Sequence, residues 1–255
     1  MINRYASLKQ GLVGAWCPSL GASGFRLIDR SGNNNHGVLT GMDPGTDWVP
    51  SGGKLALDFD GVDDRVVVPN SSNLQITGSI TLSFWLNIVN NGQVSTIISK
   101  STGADGEYEV FADFRSGNTW IQWRPHIGST AIANFFLGYT NIWTHVAVTC
   151  DNSSSGANVQ YYRNGIFIGN VTTNTARVAS NYDVNIGTRP NGGNPANTKL
   201  DDVRIYNRVL TPFEIRLLYT GGRGVGLMPE RIKHRRKTTA AATNRRRRLI
   251  CGANC

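Results

Sequence analysis

Apolar and polar residues alternate with a period of two along most of the chain, in short runs set between Gly, Asn and Asp clusters. A strand turns successive side chains to opposite faces, so this pattern predicts strands that each bury one face. They fall at 12–16, 56–60, 65–68, 80–87, 96–100, 107–114, 119–124, 143–151, 159–163, 166–169, 183–187 and 200–206. Residues 17–55 carry a polar, Gly-rich stretch centred on Asp29 to Gly37 and are given no strand. In the run from Ile80 to Leu86, Ile80, Leu82, Phe84 and Leu86 share the predicted core face, and Thr81, Ser83 and Trp85 share the other. From Glu107 to Phe114 the core set is Tyr108, Val110, Ala112 and Phe114. Asn164-Gly165 between two apolar runs predicts a tight hairpin of type I′. Many short strands with no intervening helix predict an all-β sandwich.

One helix interrupts the pattern. Thr211-Pro212-Phe213-Glu214 supplies an N-cap threonine, proline at the first helical position and glutamate at the third, which is a capping box. Ile215, Leu217, Leu218 and Tyr219 give it an apolar face, and Gly221-Gly222 ends it. Beyond that point no apolar period survives. The expected organisation is a jelly-roll body over residues 1–220 and a basic arm over 221–255.

Charge divides at the same place. Ten of the 26 Lys and Arg residues but one of the 17 acidic residues lie in 221–255, so the tail carries the whole formal charge of +9 and the body is neutral. A polyanion contact, nucleic acid included, is therefore expected on the tail, at Arg235, Arg236, Lys237, Arg245, Arg246, Arg247 and Arg248. No aromatic residues interleave these cations, so such binding should ignore base sequence. Cys17 and Cys150 read as small buried hydrophobes. For Cys251 and Cys255, a strained disulfide, an intermolecular link and free thiols all stay open. No apolar h-region follows the first residues and no run of about 18 apolar residues occurs, so neither a secretory signal nor a membrane-spanning helix is expected.

Seven motifs then follow one another in order. They are Gly11-Leu-Val-Gly-Ala-Trp16, Asp29-Arg-Ser-Gly-Asn-Asn-Asn-His36-Gly37, Leu57-Asp-Phe-Asp-Gly-Val-Asp-Asp64 and Ile80-Thr-Leu-Ser-Phe-Trp85. Trp143-Thr-His-Val-Ala-Val-Thr149, Asn185-Ile-Gly187 and Leu200-Asp-Asp-Val-Arg-Ile-Tyr-Asn-Arg208 complete the set. Together, over residues 11–220, they resemble the concanavalin A-like lectin/glucanase superfamily in its laminin-G-like branch. The resemblance implies a two-sheet antiparallel jelly-roll sandwich with one short C-terminal helix, first and last strands adjacent. It also implies that loop oxygens hold Ca²⁺, for which the matching residues are Asp29, Asn33, Asp60 and Asp201. Local readings compete: an Asx-turn at Asp29 and a hairpin corner at Asp60-Gly61. A stand-alone domain with a basic arm is similar to the jelly-roll proteins of phage and prophage structural clusters, which implies a virion component with other virion proteins as partners.

The chemistry available in the body is sparse. It holds three glutamates, Glu107, Glu109 and Glu214. The spacing of Glu107, Glu109 and Asp113 departs from the strand motif of the superfamily's glycosidases, and a solvated strand face is expected there. His36 is expected to satisfy backbone groups and His145 to pack on the sheet; His126 completes the body's histidines. No nucleophile elbow or phosphate loop is present. Catalysis is not expected. Trp120, Gln122 and Arg124 share one strand face, and Glu109 and Asp113 share a face of the preceding strand. If the two strands pair, an aromatic platform stands beside planar polar groups that fork sugar hydroxyls. The expected function is a non-catalytic module for a glycan or cell-surface polysaccharide. A structural assembly protein anchored by its tail is the alternative, and a glycoside hydrolase comes last.

Overall fold

The computed structural model of the protein describes residues 5–103, 106–117, 119–125, 133–138, 140–152, 157–173 and 177–221. The strands in chain order are β1 (Leu12–Trp16), β2 (Arg26–Leu27), β3 (Gly37–Thr40), β4 (Trp48–Ser51), β5 (Lys54–Asp60), β6 (Arg65–Val68), β7 (Ile80–Ile88) and β8 (Val94–Ser101). They continue with β9 (Gly106–Asp113), β10 (Trp120–Pro125), β11 (Ala133–Phe136), β12 (Thr144–Asp151), β13 (Ala157–Arg163), β14 (Ile166–Thr173), β15 (Val184–Ile186) and β16 (Asn197–Tyr206), before the helix α1 (Pro212–Gly221). All pairings are antiparallel and make two sheets. Sheet A runs β14-β13-β12-β7-β16-β5-β4, and sheet B runs β11-β10-β9-β8-β15-β6-β3-β2. β1 pairs with β16 at Leu12 to Trp16, where β5 has left that edge, so first and last strands are adjacent as the resemblance implies.

Alternation assigns the core correctly. Ile80, Leu82, Phe84 and Leu86 of sheet A meet Tyr108, Val110 and Ala112 of sheet B in one cluster with Trp16 and Trp123. At the β13–β14 turn Asn164 and Gly165 both take positive φ, 51° and 74°, as a type I′ loop requires. Residues 17–55 depart from expectation: they hold β2, β3 and β4. These strands run to only two, four and four residues, too few for a period to stand out; β3 is fixed by β6, while β2 and β4 pair with their chain neighbours β3 and β5. Pro50 sits on β4, the edge strand of sheet A, where its missing N–H costs the ladder nothing.

One end of the outer face of sheet A is also dry. Helix α1 and a 3-10 turn at Ala6–Lys9 cover it, and Leu8, Tyr162, Tyr206, Ile215 and Leu218 form a second cluster there. This layer buries Thr81, Ser83 and His145, which alternation alone would leave in solvent. His145 packs against the stacked rings of Trp85 and Tyr219, with Nε2 3.0 Å from Ser83 Oγ; burial pushes its pKa down to about 3, so it stays neutral. Cys17 and Cys150 are buried free thiols. Cys251, Cys255, His126 and the tail lie outside the described residues.

The capping box forms as predicted. Glu214 Oε2 accepts the Thr211 N–H (2.9 Å), and the Glu214 N–H donates to Thr211 Oγ1 (3.3 Å). Arg208 adds a fork to both carboxylate oxygens (2.9 and 2.7 Å). Burial pushes the Glu214 pKa up, but the Arg208 and Thr211 hydrogen bonds outweigh it and hold the carboxyl at about 2. A lowered carboxyl pKa stabilises the fold above the unfolded value of 4.5, and that contribution fades as pH falls towards about 2. Glu214→Gln should therefore cost about 1–2 kcal/mol at pH 7. In urea titrations the gap between wild type and variant should narrow progressively from pH 5 to pH 2; a gap that stays constant would show that the charge contributes nothing.

Candidate functional site

The outer face of sheet B presents the polar groups expected of β9 and β10. The two strands pair with Trp120 opposite Asp113, Gln122 opposite Phe111 and Arg124 opposite Glu109, so these side chains do share one face. At its end lies an open cleft of about 440 Å³ lined by Asp113, Arg115, Ser116, Trp120 and Gln122.

The turn after β9 builds the cleft. Arg115 donates to both Asp113 oxygens, Nε to Oδ1 at 3.0 Å and Nη2 to Oδ2 at 2.7 Å, and its own backbone N–H adds a third bond. The Arg115 hydrogen bond is the main reason the Asp113 carboxyl titrates below its ordinary value. Arg115 itself is exposed. Gln122 Nε2 donates to Asp113 Oδ2 (3.3 Å), which sets the orientation of the amide. The other end of that amide, Oε1, is buried and accepts no hydrogen bond. Trp120 is half-buried, and its Nε1 donates to Ser116 Oγ (3.1 Å). A buried acceptor without a donor is costly unless something reaches it. The cleft thus sets an exposed guanidinium and an indole side by side, next to an amide whose buried oxygen has no partner.

The five sequence-predicted residues divide. Asp113, Trp120 and Gln122 line the cleft; Glu109 and Arg124 lie beside it in an ion-pair cluster. Arg189, from the loop after β15, forks Glu109 at 2.6 and 3.2 Å. Thr96 Oγ1 adds 3.3 Å, and Arg124 stands 3.6 Å away with its guanidinium over the Phe111 ring. Glu107 is held by Lys100 Nζ (2.9 Å) and the backbone N–H groups of Ile76 (2.7 Å) and Ser180 (2.8 Å). The expectation of a solvated face for Glu107 and Glu109 is therefore corrected: both are fully buried, because loops at 177–183 and 187–196 fold over sheet B and bring cations and backbone donors. Arg115 and Ser116 were not foreseen. Their signal was the Asp-Phe-Arg-Ser-Gly turn that joins two strands already aligned on this face.

The four residues proposed for calcium do not make one shell. Asp29 accepts from the N–H groups of Ala15, Ser31 and Asn35 (2.8–2.9 Å) and from the Ser31 hydroxyl (2.7 Å), which is the Asx-turn alternative carried further. His36 Nδ1 accepts the Asp29 N–H. The Asn33 amide donates to the Leu12 carbonyl (3.0 Å). Asp201 is buried beneath the Pro18–Leu20 turn, where Oδ1 accepts from Ser19 N–H and Oδ2 has no partner; burial raises its pKa to about 6. Asp60 stands elsewhere, at the β5–β6 corner, with Asp63 and Asp64. Oxygens of these three lie within 4.8 Å of one another, the one such grouping of acidic, histidine or cysteine side chains among the described residues.

A laminin-G-like profile of the Concanavalin A-like lectin/glucanases superfamily matches residues 60–216. No curated protein matches by sequence. The receptor binding domain of botulinum neurotoxin C/D mosaic serotype is similar in structure, with TM-score 0.63 and 19% identity, over 83% of this chain and 51% of that one. The binding domain of botulinum neurotoxin DC in complex with SialylT gives 0.63 and 17%, over 84% and 52%. The binding domain of Paraclostridial Mosquitocidal Protein 1 gives 0.63 and 19%, over 83% and 52%. The chain spans about half the length of these domains, and at such identities the likeness is one of fold.

Proposed function

We propose, from the premise that this chain belongs to the concanavalin A-like lectin/glucanases superfamily, that it is a non-catalytic module binding saccharide in the cleft of sheet B. The observation that carries the proposal is Gln122 Oε1, buried and unpartnered at a cleft beside an indole and an Arg–Asp fork. A sugar hydroxyl donates to that oxygen once the Gln122 amide turns towards the cleft, a second accepts from Arg115, and the C–H face of the ring covers Trp120. The binding domain of botulinum neurotoxin DC, with SialylT in one structure and rat synaptotagmin II in another, supports recognition as the use of this fold. A hydrolytic role is disfavoured by Glu107 and Glu109, since a glycosidase needs two carboxyl groups facing the scissile bond and water. Affinity should be weak, with Kd about 10⁻³ to 10⁻⁵ M, as few contacts provide. A glycan array probed with the full-length chain tests this: selective retention by one saccharide class is expected, and uniform absence of retention speaks for the structural-assembly alternative.

The second reading concerns the tail, whose charge favours attachment to a polyanion or to an acidic partner protein. A body that reads surface sugar and an arm that binds nucleic acid would together suit a virion component. Calcium enters the proposal only through the acidic corner at Asp60, Asp63 and Asp64, whose hard oxygens suit it. Millimolar Ca²⁺ should then raise the melting temperature of wild type by a few degrees through mass action, and leave Asp63→Asn unchanged. Identical melts with Ca²⁺ and with EDTA would remove calcium from the account.

A further inference from the structure

A second cleft, of about 240 Å³, lies at the end of sheet A opposite the α1 layer. Its floor is a row of polar groups across three neighbouring strands. Lys199 of β16 is paired with Asp58 of β5 on one side and with Asn87 of β7 on the other. Lys199 Nζ stands 2.8 Å from Asp58 Oδ2, with both side chains about one-third exposed at 36% and 34%. Adjacent strands are about 4.8 Å apart, so carboxylate, ammonium and carboxamide are offered at regular intervals over roughly 10 Å.

The surroundings of this row are fixed by specific bonds. Asn141 sits in the left-handed region (φ 59°), and its N–H donates to the Ile88 carbonyl (2.8 Å), which places it at the end of β7. Asn197 donates its amide to the Asp60 carbonyl (3.2 Å). Trp143 Nε1 donates to Ser51 Oγ (2.9 Å), although β7, β16 and β5 lie between β12 and β4 in the sheet. That bond ties the tip of the β4–β5 hairpin across the sheet, and Ser51 forms part of the cleft wall. An ordinary strand surface has no such tie over it.

The donor and acceptor set selects a ligand class. Asp58 and Lys199 neutralise each other, so the floor holds no net charge to attract an anion or a cation. Their paired oxygen and nitrogen match two adjacent hydroxyls, one donating to the carboxylate and its neighbour accepting from the ammonium. The amides of Asn87 and Asn141 have no partner among the described residues and can both donate and accept. We infer that this cleft is a second saccharide subsite, for a neutral pyranose with vicinal hydroxyls, on the sheet opposite the first. It shares no residue with the sheet B cleft and stands independently of it. A molecule with sites on both sheets links two glycan chains, or two points of one surface, and gains avidity without tight single-site binding.

The test is a titration of the ¹⁵N-labelled full-length chain with the methyl pyranosides of glucose, galactose, mannose and N-acetylglucosamine, each to about 50 mM, a range suited to millimolar Kd. At least one glycoside should shift the side-chain amides of Asn87 and Asn141 and the backbone amide of Lys199. Asn87→Ala and Lys199→Met should each weaken that response tenfold or more, while Gln122→Ala leaves it unchanged. Asn141→Ala, at an exposed position, serves as a further variant if either of the others melts early. Absence of shifts at these residues with all four glycosides would overturn the inference, as would shifts whose midpoints are unchanged in the variants.

Discussion

Asp202→Asn should destabilise the protein by about 3–5 kcal/mol, the range for removing one partner of a buried ion pair. Asp202 lies in the bulge of β16, in the left-handed region at φ 51°, a conformation that asparagine also accepts. Its Oδ1 is 2.6 Å from Arg204 Nε and accepts the Cys17 thiol at 3.0 Å, and both charged side chains are at most 3% exposed. Burial disfavours the charged guanidinium, but Asp202 outweighs it and keeps Arg204 protonated. Asparagine preserves shape and leaves that cation in a dry layer without its counter-charge. The second substitution Arg204→Met, made in the Asp202→Asn background, removes the stranded charge and should recover at least about 1 kcal/mol. Urea unfolding of wild type, single and double variants measures both quantities. A single variant within about 1 kcal/mol of wild type would mean that water reaches the pair.

Deleting residues 222–255 should abolish salt-sensitive retention on heparin or duplex DNA and leave the melting temperature within a degree or two. The body is formally neutral, and the tail holds the whole charge of +9. Proteins that neutralise six to ten phosphates lose about 10³–10⁵ in affinity between 50 and 200 mM salt, so the full-length chain should elute steeply with salt. Replacing Arg245 to Arg248 by Gln should reduce retention in part, and equally for every DNA sequence, because the number of charges sets the affinity. A body that is still retained at high salt would show a basic face that the charge distribution does not predict. A body that melts many degrees earlier would mean that Ile232, Leu249 and Ile250 contribute to the fold.

Much of this architecture was legible in the residues themselves. The alternation in β7 and β9 assigned their core faces because a period of two is a property of the strand alone. The capping box at Thr211 to Glu214 and the Asn164-Gly165 turn were equally local. The β9–β10 face was half legible: Trp120, Gln122, Glu109 and Asp113 were placed together, yet the state of Glu109 depends on Arg189, 80 residues away. Burial of Glu107 and Glu109 could not be read from their own strand, which carries no cation. Strand β3 escaped for a related reason, since β6, nearly 30 residues on, pairs with it, while β2 and β4 are short strands in pairings with their chain neighbours β3 and β5. The calcium residues were assigned from motifs, and motifs do not say which oxygens the backbone already occupies. In the sheet A cleft, Asp58, Asn87 and Lys199 come from three separate segments, and only the sheet order joins them.

Saccharide binding in the sheet B cleft is proposed to run through Trp120 and Gln122. The most direct measurement is calorimetric titration of the full-length chain with the glycan that it selects on an array, compared with Trp120→Ala and Gln122→Ala. Neither change removes core packing, since both side chains face away from the sandwich interior, so both variants should melt near wild type. Wild type should bind with a Kd of about 10⁻³ to 10⁻⁵ M and each variant at least tenfold more weakly, which is about 1.4 kcal/mol. Folded variants that bind as tightly as wild type would contradict the proposal.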